Sequence, residues 1–135
     1  MLKKILVVDN SAAIHHTYQM ILTRYKCPVL TARNGQEGLH KLIQNPDVNL
    51  LIVAMQMPHM SGLEFISRVK EQEASNNIPI IAVISKTAEA EDPQESHKLA
   101  DGILTKPFTS TEIHLEIERL FPESVLEPKT ANGSI

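Results

Sequence analysis

Four short segments carry side chains able to do chemistry: Asp9-Asn10-Ser11, Ala54-Met55-Gln56-Met57-Pro58, Ser85 and Lys106-Pro107. Asp9 offers a carboxylate, Asn10 an amide oxygen and Gln56 a backbone carbonyl. These are the hard oxygen donors magnesium takes, although magnesium commonly uses one or two carboxylates besides substrate phosphates. Asp, Asn and Ser are also the residues that cap a helix start, so ion binding and capping both stand as readings of residues 9 to 11. Ser61 and Ser85 are the hydroxyls nearest the central run, and neither has an evident base beside it. The six histidines do not form a metal site. His15 and His16 are adjacent, so on a helix they point about 100° apart, while His40, His59, His97 and His114 belong to other segments and no zinc spacing exists. Met55, Met57 and Met60 read as packing residues.

These segments need a scaffold. Strand-like runs alternate with amphipathic stretches: Ile5 to Val8 then Ala12 to Tyr25, Val29 to Ala32 then Gln36 to Gln44, and Leu50 to Val53 then Leu63 to Glu73. The pattern continues with Ile80 to Ile84 and a polar stretch to Ala100, then Ile103 to Thr105 and Glu112 to Phe121. Leu50-Leu51-Ile52-Val53 is an unbroken apolar run between Asn49 and Pro58, the signature of a strand buried on both faces. Leu63, Phe65, Ile66 and Val69 then recur at helical spacing. Such alternation predicts an α/β domain, a doubly wound parallel sheet with helices on both faces, and right-handed crossovers restrict the winding to a few orders. Ligands of these sheets bind at the carboxyl ends of the strands, where Asp9, Ala54 to Gln56, Ser85 and Lys106 fall. Asn34-Gly35 starts the second helix, and Pro79 opens the fourth strand, where a missing N–H costs little. Asp92-Pro93-Gln94-Glu95 reads as a helix start, so the fourth helix is expected to be short and to begin near Pro93 after an acidic loop.

Composition narrows the function classes. With 135 residues, 42% hydrophobic and 21% charged, the chain is one domain with a substantial core. A net charge of −3 provides no basic field for nucleic acid, and two Tyr, three Phe and no Trp leave little for base stacking. The lone Cys27 precludes an intramolecular disulfide, and no apolar stretch suits a signal peptide or membrane span, so cytoplasm is expected. PESVLEPKTANGSI, residues 122–135, has two prolines and no periodicity, and is expected to be a flexible C-terminal tail following a domain over residues 1–121, with no output domain.

The segment Ala54-Met55-Gln56-Met57-Pro58-His59-Met60-Ser61-Gly62, together with Lys106-Pro107, resembles the receiver domain of bacterial two-component response regulators, CheY-like proteins, over residues 2 to 121. The resemblance implies a (βα)5 flavodoxin-like fold with a parallel five-stranded sheet of order 2-1-3-4-5. It places the family's phosphoacceptor aspartate, three residues before Met57, at Ala54. It makes Asp9 and Asn10 the equivalent of an acidic pair that holds magnesium, with the Gln56 carbonyl as a further ligand; with Asn10 neutral, that Mg2+ site is weakened or lost. It makes Lys106 the residue that pairs with the phosphoryl group, followed by a cis bond to Pro107, and without an aspartyl phosphate Lys106 is expected to face Asp9. Ser85 corresponds to the Thr or Ser of the family's switch, whose aromatic partner is replaced by Ile103, so the rotamer readout of activation could not operate in its usual form.

Ala54 supplies a methyl group and no nucleophile, so the chain is expected not to act as an enzyme. The leading reading is a stand-alone pseudoreceiver that acts by protein-protein docking in phosphorelay signal transduction. Its partner would be a sensor kinase or a downstream effector, bound through the face of the fourth helix, fifth strand and last helix. Neither nucleic acid nor membrane is an expected partner. Leu99 replaces a small glycine near that face, and Glu112, Glu116 and Glu118, with Glu89, Glu91 and Asp92, suit a basic partner surface or a solvated one. One alternative is an ordinary response regulator whose acceptor was replaced by engineering. Against it, Asn10, Ile103, Leu99 and the proline-started fourth helix depart together. Another is a flavodoxin-like flavin or nucleotide binder, but Asp9-Asn10-Ser11-Ala12-Ala13 has no glycine and begins with an acid that would repel phosphate.

Overall fold

The computed structural model describes residues 1–85 and 99–124. Five parallel strands, β1 (Ile5–Val8), β2 (Val29–Ala32), β3 (Leu50–Ala54), β4 (Ile80–Ser85) and β5 (Gly102–Lys106), form one sheet of order β2-β1-β3-β4-β5. The described helices are α1 (Ala12–Leu22), α2 (Gly35–Gln44), α3 (Gly62–Glu71) and α4 (Ser110–Leu120). The expected sheet order is the observed one. The helix start expected near Pro93, together with Glu89, Glu91, Asp92 and His97, lies outside the described residues, as does the chain after Ser124.

Side chains alternate across each strand, and the alternation divides the core into two layers. Leu6, Val8, Leu51, Val53, Ile80 and Ala82 meet α2 and α3 through Leu42, Phe65, Ile66 and Val69. Ile5, Val7, Leu50, Ile52, Ile81 and Val83 meet α1 and α4 through Tyr18, Leu22, Ile113 and Ile117. The central strand β3 is covered on both faces, which is why its sequence is a continuous apolar run.

Local signals place the helix starts. Ser11 caps α1 by accepting from the Ile14 N–H, Asn34 caps α2 and Ser61 caps α3 in the same way. The cap of α1 thus falls on Ser11, and Asp9 is left free for other contacts. Thr109 opens α4 with a reciprocal capping box to Glu112. The helical stretch expected to run on to Tyr25 tightens at Thr23 into a short 3₁₀ turn ended by Lys26 in the left-handed region. Pro122–Ser124 adds a further 3₁₀ turn.

Strand β2 lies at an edge of the sheet. The carbonyls of Pro28 and Ala32 face β1, accepting from Ile5 and Asp9. On the open side, the Val29 carbonyl accepts from Gln19 Nε2 at 3.0 Å and the Thr31 carbonyl from Lys41 Nζ.

Candidate functional site at the strand ends

Because all the strands run parallel, the carboxyl ends of β1, β3, β4 and β5 lie at one end of the sheet. Asp9 follows β1 and is 1% exposed. Its Oδ1 accepts from the Ser11 N–H at 3.0 Å, and its Oδ2 accepts from Lys106 Nζ at 2.8 Å. The Lys106 side chain, 31% exposed, ends β5 in register with Ser85 at the end of β4, and its bond to Pro107 is cis. Thus Asp9, Ser85 and Lys106 share one end of the sheet, and Asp9 and Lys106 are in direct contact. Asn10 is exposed.

Ala54 is the last residue of β3 and is 4% exposed, so a methyl group occupies a buried position beside the ion pair's end of the sheet. The chain then turns back closely: Met55 donates to the Val83 carbonyl and Gly62 to the Met55 carbonyl. Met55 and Met60 are buried in the α2/α3 layer and Met57 packs against it. His59 is exposed with φ of 70°. Gln56 turns its side chain to β4, where Oε1 accepts from the Ser85 N–H at 2.9 Å. Its Nε2 is buried without an acceptor among the described residues. Ile103 is half-buried and packs into the α2/α3 layer with Leu99, an aliphatic contact in place of a ring.

Two contributors escaped the sequence reading. His15 Nε2 donates to the Asp9 carbonyl at 2.6 Å, one helical turn past the Ser11 cap. Its spacing from Ser11 is the signal that could have found it. Tyr18 lies on the next turn of α1, with its ring centroid 5.7 Å from that of Phe108, just after Pro107. Burial first, and then the Asp9 charge, raise the Tyr18 phenol above its ordinary range. This contact packs the loop after Lys106 against α1.

The donor set does not fit magnesium. Both Asp9 oxygens already accept hydrogen bonds, one from an ammonium. Ala54 has no side-chain oxygen, and Asn10 would add only a neutral one. Asp9 and Lys106 cancel in charge, whereas the ion usually draws on one or two uncompensated carboxylates.

The family model for the response regulator receiver domain matches residues 5–118. A chemotaxis protein CheY homolog from Campylobacter jejuni is 33% identical over 116 residues, covering 85% of this chain and 89% of that protein. Protein PilG from Pseudomonas aeruginosa is 30% identical over 110 residues, covering 82% of this chain and 81% of its own. Among solved structures, Vibrio cholerae chemotaxis protein CheY4 superposes with a TM-score of 0.77 at 30% identity, covering 88% of this chain and 98% of its own. This chain belongs to the response regulator receiver domain family, with a CheY-like fold. Among the described residues, no helix is long and apolar enough to cross a membrane.

Proposed function

We propose that this chain is a receiver of two-component signal transduction that works without aspartyl phosphorylation, as a protein docking module. The observation that carries the reading is the alanine at position 54, buried at the end of β3 where the family's acceptor would stand. In-line attack on a phosphodonor requires a nucleophile, and a methyl group has none. The Asp9–Lys106 pair supports the same reading, because the ammonium that would meet a phosphoryl group is engaged with a carboxylate. Ile103 supports it too, since an aliphatic side chain has no ring to exchange between buried and exposed positions. The docking face is proposed at β5, α4 and the segment before β5, where Glu112, Glu116 and Glu118 suit a basic surface on a kinase or effector.

A replaced acceptor in an otherwise ordinary regulator is disfavoured by Asn10, Leu99 and Ile103 departing together. A flavin or nucleotide module is disfavoured because the segment Asp9-Asn10-Ser11-Ala12-Ala13 at the start of α1 has no glycine to bring the backbone close to a phosphate.

The test is incubation with acetyl phosphate and magnesium followed by intact mass measurement, with Ala54→Asp beside the parent. The expected result is no adduct on the parent. A phosphoryl adduct on the parent overturns the proposal. An adduct on Ala54→Asp alone shows that only the acceptor is missing.

A further inference from the structure

We infer that the Lys106 ammonium is the resident cation of the acidic pocket, so that the folded protein takes up no divalent cation at Asp9. The inference deepens the proposed function at the same pocket, but it concerns charge balance and stands apart from docking.

A carboxylate as buried as Asp9 needs a compensating positive charge or enough hydrogen bonds to offset its loss of water. Here the compensation comes from within the chain. Oδ2 meets Lys106 Nζ at 2.8 Å and Oδ1 meets the Ser11 N–H at 3.0 Å. The carbonyl of the same residue is taken by His15 Nε2 at 2.6 Å. An incoming divalent ion would have to displace Lys106 and leave that ammonium without Asp9. It would gain few ligands in return. Position 54 offers no side-chain oxygen, the side-chain oxygen of Gln56 is committed to the Ser85 N–H, and only neutral donors such as the Gln56 backbone carbonyl and the exposed Asn10 amide remain. Magnesium also gives up its waters reluctantly, so a single carboxylate already paired with an ammonium holds it poorly.

The experiment uses the intact chain and two probes. Manganese, as a paramagnetic stand-in, is titrated while the amide signals of Asp9, Ala54 and Lys106 are followed by NMR. Thermal unfolding is then measured in magnesium chloride and in sodium chloride of equal ionic strength, for the parent and for Lys106→Met. The expected result for the parent is no saturable broadening centred on Asp9 and no magnesium-specific rise in Tm. Lys106→Met leaves Asp9 uncompensated and is expected to gain a magnesium-specific rise in Tm, with manganese binding at least about tenfold tighter than the parent's. Asp9→Asn combined with Lys106→Met abolishes that response. Saturable broadening at Asp9 in the parent overturns the inference, as does a folded Lys106→Met without a magnesium response. Should Lys106→Met fail to fold, the parent titration decides alone. A phosphoryl adduct on the parent would sink the docking proposal while leaving this measurement interpretable.

Discussion

Lys106 and Asp9 form a 2.8 Å ion pair, although β5 and β1, which they follow or end, are separated in the sheet by β3 and β4. The long lysine stem thus ties one edge of the sheet to its interior over the position of Ala54. Removing the ammonium leaves a buried carboxylate uncompensated. Lys106→Met should therefore cost about 1–3 kcal/mol, less than a fully buried pair because the lysine side chain is partly exposed. Urea denaturation of the parent and variant checks this, and adding Asp9→Asn should recover part of the loss.

A second tie joins the end of α1 to α4. With a neutral imidazole, the Tyr25 hydroxyl donates to His114 Nδ1 at 2.7 Å, and the ring centroids lie 5.4 Å apart. Burial, and then the Arg24 charge, hold the His114 pKa below its ordinary value. The folded chain therefore binds this proton less readily than the unfolded chain, in which histidine titrates near 6.5. The His114 contribution to stability is intact above about pH 6.5 and is lost as the pH falls below it toward the lower folded value. Unfolding free energies at several pH values between 7.5 and 5 should show this slope, and His114→Asn should flatten it.

Tyr25 should also resist ionisation. Burial, helped by the Glu118 charge, pushes its phenol up to about 12. Ultraviolet titration of the native protein should show both tyrosines ionising above the ordinary value near 10, and a urea-unfolded sample should show the ordinary value.

Gly62 packs against the backbone that carries Ala54. A Cβ at this position would lie 2.5 Å from Met55 Cα and 2.7 Å from the Ala54 carbonyl oxygen. Neither atom is the free end of a side chain, so the contact cannot be relieved by a rotamer change. Gly62→Ala should lower stability by about 1–3 kcal/mol. It should also shift the amide signals of Ala54 to Gln56, which a change in α3 alone would leave in place.

The start of α4 offers a smaller effect. Thr109 Oγ1 accepts from the Glu112 N–H at 3.1 Å, and Glu112 Oε1 accepts from the Thr109 N–H at 2.8 Å. Thr109→Ala should cost about 1 kcal/mol, measurable in urea, and Thr109→Ser should recover most of it.

Strands and helices were legible because their signals are local. The apolar run Leu50 to Val53 needed to extend only to Ala54, and Val29 to Ala32 is the observed β2. α1 begins at Ala12 as expected, whereas α2, α3 and α4 begin one or two residues earlier than expected because Asn34, Ser61 and Thr109 cap them, and caps precede the periodic residues. Ala54, Asp9, Ser85 and Lys106 could be placed at one end of the sheet because each terminates a strand-like run. What local patterns could not reveal were contacts made at long range or from helices. The His15 bond to Asp9 depends on where α1 sets the imidazole against the end of β1, which the spacing of the histidines among themselves does not fix. The Tyr18–Phe108 contact joins residues on separate elements, so no periodicity marks it.

The open side of β2 has a bearing on self-association. Gln19 and Lys41 occupy the carbonyls that an added strand would need, and a lysine at that position also brings charge to the border. An incoming chain would meet both outward carbonyls already accepting a hydrogen bond and would have to compete with those side chains. On the β2 side, intermolecular sheet growth is denied a template.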